Sequence, residues 1–340
     1  MVMLVFTALL ASSVAERNLA ELRQMFVSFK GRFNLDFGQA DSEREVIFRE
    51  NLRYIDEVNA KNLSYQLGIN QFTHLTNDEF KSMMNLRGFR KARAPRLRIY
   101  EKSSQEDAFF EFKGNPEDLP KSVDWRKEGY VTSVKQQGDC GGCWAFAAAG
   151  ALEGLYKKMT GELVSLSVQE LIDCSGPFDN NGCSDGLPTQ AFEYVNVNGL
   201  MAEDDYKFIE FGATCRANSL KNVIKAGVVN FHEVIENSAD SLKAALATFG
   251  PVSLAVDTTT TEIFQHYRGG VIDDVRCGAD LDHAVLAVGY GASTDGTPYV
   301  IVKNSWGADW GEDGYVRISL KGPPEGICGI LSDPSVPKQA

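Results

Sequence analysis

The chain has 340 residues, a formal net charge of −12 and seven cysteines, and 44% of its residues are hydrophobic. Length and apolar content suffice for two domains with real cores, which excludes a disordered or fibrous chain. Basic and acidic residues balance over 1–118, so the whole −12 falls on residues 119–340; a body this acidic argues against nucleic acid as a partner.

The one long apolar run, Met1 to Val14, is too short to cross a bilayer, so no membrane span is expected. It ends Ser13-Val14-Ala15 before Glu16, which reads as a signal peptide over 1–15. An exported chain can form disulfides. The cysteines are Cys140, Cys143, Cys174, Cys183, Cys215, Cys277 and Cys328. Their odd number points to three bridges and one free, reactive thiol, with the pairing undecided by sequence alone.

From Glu16 to about Asn85 the pattern is helical. Leu19, Leu22, Met25, Phe26 and Phe29 form one stripe, and Val46, Ile47, Leu52, Ile55 and Val58 a second. Asn62-Leu63-Ser64 is a glycosylation sequon, of consequence in a secretory pathway. Arg87, Arg90, Lys91, Arg93, Arg96, Arg98 and Lys102 surround Pro95, and a charged, mixed segment continues to Pro120. Together these read as an extended linker open to proteolysis, whose basic part can lie against the acidic body.

In Lys135-Gln136-Gln137-Gly138-Asp139-Cys140-Gly141-Gly142-Cys143-Trp144-Ala145-Phe146, two cysteines sit in a glycine-rich loop ahead of an alanine-rich run closing at Lys157, Lys158 and Gly161. Cys143 therefore stands at a helix N-terminus, where unpaired N–H groups and the dipole favour the reactive thiolate. Gln137 can offer a side-chain N–H to an oxyanion in the same loop. Taken alone, Cys140 to Cys143 also fits a redox Cys-x-x-Cys motif as in thioredoxin-like domains.

The following half is helical, with a capped helix opening at Ser167-Val168-Gln169-Glu170 toward Cys174 and another over Thr189 to Val197. Strands follow at Gly227–Phe231, Val252–Asp257, His283–Tyr290, Tyr299–Lys303 and Tyr315–Ile318, with a helix over Ser241–Phe249. A nucleophilic thiol needs a base and a group to aim it. Of the four histidines, His74 lies in the N-terminal region, and His232 and His266 have no polar helper nearby. His283, after Asp282, opens an apolar strand; Asn304 follows later in Lys303-Asn304-Ser305-Trp306-Gly307. No cysteine–histidine spacing suits zinc, and neither a metal nor a cofactor is expected.

These segments resemble the papain-like cysteine proteases, specifically the cathepsin L branch, in their preproenzyme form. Cys140-Gly141-Gly142-Cys143-Trp144 matches the nucleophile motif, with Gly142 where serine is usual, and Asp282-His283-Ala284 through Val288-Gly289-Tyr290-Gly291 matches the catalytic histidine segment. Arg44, Phe48, Asn51, Ile55 and Asn59 match the propeptide helix, although Ala40 replaces its first glutamate. Gly68, Asn70 and Phe72 match a second propeptide motif, with His74 in place of aspartate. Leu119-Pro120-Lys121-Ser122-Val123-Asp124-Trp125-Arg126 is similar to the start of the mature enzymes.

The resemblance implies an α+β fold, a helical lobe and a β-barrel-like lobe facing across a cleft, preceded by a helical propeptide. Boundaries would be a signal peptide over 1–15, an inhibitory propeptide and linker over 16–118, and a peptidase domain over 119–340. It implies Cys143 as nucleophile, His283 as base, Asn304 orienting the imidazole under Trp306, and Gln137 in the oxyanion hole. It also implies the bridges Cys140–Cys183, Cys174–Cys215 and Cys277–Cys328. Asp185, Gly186, Leu187, Ala255, Leu281, Asp282, Ala284, Trp306 and Asp333 would meet substrate. Asp185 stands where the family has a second glycine, and Asp333 falls at the base of the pocket for the residue two before the scissile bond. Without an exopeptidase's blocking insertion between Cys143 and His283, an endopeptidase is implied. Its partners would be protein substrates and its own propeptide, and it would act as a monomer in a lysosome-like, vacuolar or extracellular compartment.

Overall fold

The computed structural model describes residues 17–83 and 108–340. The expected signal peptide and the basic run from Arg87 to Lys102 lie outside the described residues. In chain order the N-terminal region has α1 (Leu19–Phe33), α2 (Asp41–Asn59), β1 (Tyr65–Leu67) and α3 (Asn77–Met83). The body begins with β2 (Phe109–Phe110), β3 (Val123–Asp124), α4 (Cys143–Thr160), α5 (Val168–Cys174), α6 (Pro188–Asn198), β4 (Leu200–Met201) and β5 (Asn222–Ile224). It continues with β6 (Val229–Val234), α7 (Ala239–Thr248), β7 (Val252–Val256), α8 (Ile263–His266), β8 (Tyr267–Ile272), β9 (His283–Ala292), β10 (Pro298–Lys303), β11 (Tyr315–Ser319) and β12 (Ser335–Gln339).

Local chemistry explains the helix ends. Asn18 caps α1 by accepting the Glu21 N–H, while the Glu21 carboxylate accepts the Asn18 N–H, so two orphan donors are satisfied. Ser167 caps α5 in the expected way, but the Glu170 carboxylate does not reach back. It accepts from the Tyr194 hydroxyl and the Met201 N–H, tying α5 to α6 and β4. α1 and α2 bury Phe26, Phe29, Phe48 and Leu52 in a small core of their own. The body has a helical cluster around α4 to α6 and a second one inside the sheet, giving the two-lobed α+β architecture.

The main sheet runs β1-β8-β11-β10-β9-β7-β12-β6-β2, with β3 beside β9. Residues His283 to Tyr290 of β9 are all buried, because β7 and β10 flank the strand and α4 covers one face. The approach is close: a Cβ on Gly150 would lie 2.6 Å from the Leu286 side chain, which would have to turn aside. That contact sets the start of α4 over the start of β9.

Three expectations need correcting. The N-terminal region is not helical throughout, since β1 pairs antiparallel with β8 of the body, Tyr65 opposite Gly270. Residues 108–118 are not wholly an extended linker, since β2 adds in parallel to β6 at the sheet edge. β8 and β12 appear as strands where none was expected, because Gly269-Gly270 and Pro337 blur their patterns.

Candidate active site

Cys143 is the first residue of α4, after an N-cap glycine, so no side chain caps the N–H groups of Cys143 and Trp144, while the Ala145 N–H turns back to the Gly142 carbonyl at 2.8 Å. It is buried and is the free cysteine; the bridges are Cys140–Cys183, Cys174–Cys215 and Cys277–Cys328. Cys140 is thus committed to Cys183, which leaves no redox pair with Cys143. The sulfur accepts the Ala284 N–H at 3.5 Å. Burial pushes the thiol up to about 11, against the smaller opposing pull of the Ala284, Trp144 and Cys143 N–H groups.

His283 opens β9, and its Nε2 lies 2.8 Å from Asn304 Oδ1. An amide oxygen only accepts, so Nε2 carries the proton and Nδ1, buried and unpartnered, keeps its lone pair. Asn304 Oδ1 also accepts the Ser305 N–H at 2.8 Å, which holds the amide in this orientation. The Trp306 indole stacks on the imidazole with centroids 4.7 Å apart and shields this bond. Burial pulls the imidazole down to about 4, opposed by the Asn304 hydrogen bond. Burial therefore disfavours the charged form of both the thiol and the imidazole in this state.

Gln137 is fully buried and held by its neighbours. Its Oε1 accepts from the Ser305 hydroxyl at 2.7 Å, its backbone N–H donates to the Ser305 carbonyl at 2.8 Å, and Nε2 donates to the Cys140 carbonyl at 3.0 Å. One Nε2 hydrogen remains to face a ligand.

Leu187, Ala255, Leu281 and Ala284 share one apolar cluster with Cys143. Gly186 lies flat on Trp144, where a Cβ would come within 2.5 Å of the indole. Asp185 closes that loop by accepting the Asn181 N–H at 2.8 Å through its backbone carbonyl. Asp282 works internally: Oδ1 accepts the Thr258 N–H and hydroxyl at 3.0 and 2.8 Å, and burial pushes the carboxyl up to about 6. Asp333 is half-buried just ahead of β12, and Trp306 is completely buried.

Trp306 is buried because the N-terminal region lies on it. Gln71 Nε2 donates to the Trp306 carbonyl at 2.7 Å, and the Phe72 and Phe80 rings meet the indole edge-on at 5.9 and 5.3 Å. Gln265 Nε2 donates to the Phe72 and Leu75 carbonyls at 3.3 and 2.9 Å, while Asn70 Nδ2 donates to the Gln265 carbonyl at 2.8 Å. Behind this face, Asn51 Nδ2 donates to the Thr73 and Leu75 carbonyls, and Arg44 pairs with Glu79 through both guanidinium nitrogens. His74 packs its ring against Phe29 and Phe37. Sequence reasoning passed over Gln71, Thr258, Gln265 and Ser305, since single amides and hydroxyls carry no periodic signal. Asn70 and Phe72 flank Gln71, and Ser305 follows Asn304 in its segment, but nothing in the sequence pointed to Thr258 or Gln265. Asn62 is exposed just past α2.

Comparison with known proteins gives the family. Residues 119–338 match the papain family cysteine protease model, and residues 26–80 match the cathepsin propeptide inhibitor domain. Cysteine protease XCP2 of Arabidopsis thaliana is 44% identical over 322 residues, covering 93% of this chain and 86% of that protein. Cysteine proteinase COT44 of Brassica napus is 41% identical, covering 90% and 94%. Among solved structures, the digestive procathepsin L 3 of Tenebrio molitor larval midgut superposes with a TM-score of 0.79 at 34% identity, covering 95% of this chain and all of that one. The recombinant stem bromelain precursor gives 0.80 at 35%, covering 94% and 99%. The chain belongs to the papain family of cysteine proteases and is made as a zymogen with a cathepsin-type propeptide.

Proposed function

We propose that the chain is a cathepsin L-like endopeptidase in which Cys143 attacks the peptide carbonyl and His283 moves the proton. The observation that carries this reading is the free thiol at the start of α4 against β9, whose first residue keeps an empty Nδ1 because Asn304 occupies Nε2. Removing the propeptide admits water, and the proton passes from Sγ to Nδ1, giving a thiolate and an imidazolium. The thiolate adds to the carbonyl carbon; the Gln137 Nε2–H and the Cys143 N–H receive the oxyanion. His283 protonates the leaving amine, and water then hydrolyses the thioester with His283 as base. An epoxide thiol trap should label Cys143 and stop hydrolysis together; hydrolysis that persists in labelled enzyme would refute the assignment.

For specificity, Leu187, Ala255, Leu281 and Ala284 form an apolar wall for the residue two before the scissile bond, and Asp333 supplies a carboxylate for arginine there. Substrates differing only in leucine or arginine at that position test it: Asp333→Ala should lower the arginine-to-leucine ratio of kcat/KM, and an unchanged ratio removes the idea. The proposed boundaries are a signal peptide over 1–15, propeptide and linker over 16–118, and peptidase over 119–340. Export, glycosylation at Asn62, a vacuolar, lysosome-like or extracellular destination and monomeric action belong to the same reading. Three disulfides and a mostly extracellular style of cysteine use support it.

A further inference from the structure

His266 is the most anomalous polar side chain outside the catalytic set. It is completely buried at the end of α8, and neither ring nitrogen has a hydrogen-bond partner. It sits where the propeptide docks: its carbonyl accepts the Gly68 N–H at 2.8 Å, β1 pairs along β8 from the next residue, and the Tyr54 ring of α2 lies 6.2 Å from the imidazole. We propose that His266 is a proton sensor on the mature body, which holds the propeptide while neutral and expels it when protonated. This inference rests on the zymogen reading above and assigns its acid response to one residue.

The physics follows from the surroundings. The ring beside the imidazole is that of Tyr54 from α2; Tyr267 follows His266 in β8, Tyr65 lies on β1 paired to β8, and Glu262 is the N-cap residue of α8, whose carbonyl accepts the His266 N–H at 3.3 Å. Lys81 of α3 acts on Glu262, and Asp274 and Arg276 act on the two propeptide tyrosines. Burial pushes the Glu262 carboxyl and the tyrosines up, so these groups favour their neutral forms. None of them bonds the imidazole. A buried imidazolium would thus have neither partner nor water, and burial alone pulls the group from 6.5 down to about 3. Once the propeptide lifts, the ring regains water and titrates near its ordinary value. The sign is fixed by this lowering: the closed form is fully held above the open-state value and loses ground as pH falls below it. Each pH unit favours the open form about tenfold, so two units shift the ratio about a hundredfold.

The test uses the full-length Cys143→Ala precursor, which cannot cut itself, and reads hydrogen-exchange protection factors at Gly68 and β1 from pH 7 to pH 4. In the parent, protection should collapse below pH 6. Adding His266→Leu should leave protection at pH 7 unchanged and raise it at least tenfold at pH 4.5. Superimposable pH curves would overturn the proposal. Should leucine disturb packing, seen as lost protection already at pH 7, His266→Phe is read by the same criterion. Failure of the protease reading is separate: it would appear as mature wild-type enzyme that neither reacts with the thiol trap nor cleaves peptides.

Discussion

Gln71 donates a side-chain N–H to the carbonyl of Trp306 at 2.7 Å, so the propeptide grips the residue that stacks on the His283 imidazole. Inhibition is thereby tied to the indole that shields the His283–Asn304 bond. Phe80 is completely buried and meets the indole edge-on. Truncating a buried phenylalanine costs about 3–5 kcal/mol. Phe80→Ala precursor, verified uncut by mass, should therefore hydrolyse peptide at pH 7 well above the parent precursor; equal basal rates would show that this aromatic seal is not what holds the zymogen.

Covering the site controls the thiol. Burial pushes Cys143 up to about 11, which disfavours the reactive thiolate at pH 7. Iodoacetamide should label Cys143 in the precursor at least about 100-fold more slowly than in the mature enzyme at that pH. Matching rates would mean that the propeptide neither excludes water nor shifts the thiol.

Gln137, proposed to receive the oxyanion, has a keeper. Gln137→Ala should lower kcat/KM by about 2.7–4 kcal/mol of transition-state stabilisation, as for other single donors. Ser305→Ala removes the 2.7 Å bond that fixes the Gln137 amide and should cost about 1 kcal/mol, mostly in kcat. Full activity in the serine variant, measured by steady-state kinetics, would show that packing alone orients Gln137.

The Arg44–Glu79 pair stabilises the propeptide in a different pH range from His266. The Arg44 guanidinium holds the Glu79 carboxyl down at about 2, below its ordinary 4.5. A depressed carboxyl contributes its stability above 4.5 and loses it between 4.5 and 2. The pair is partly exposed, so its contribution is about 1 kcal/mol after screening. Glu79→Gln precursor should melt a few degrees lower at pH 7 and converge with the parent near pH 2; an offset independent of pH would assign the loss to packing.

The readable parts were those written locally. Ala-rich α4 after a glycine loop, the apolar run of β9 and the Asn-Ser-Trp segment each announce themselves within a dozen residues, and their chain order already implied one site. β1, β8 and β12 stayed hidden because short strands with Gly-Gly or Pro are strands only through partners far away in the chain. The amides of Gln71 and Gln265 were invisible for the same reason: each finds its use in a carbonyl 190 or more residues distant.

By itself, the sequence determined that one thiol is spare and that Cys143 stands at a helix start; which thiol is spare, and which imidazole and amide serve it, came from the resemblance to the papain-like enzymes. Only the tertiary structure decided how far burial opposes ionisation of that pair. A helix N-terminus alone favours the thiolate, but burial pushes the thiol up and the imidazole down, against the pull of the N–H groups and of Asn304. Burial depends on what lies above a residue, and that is written nowhere near Cys143 in the chain.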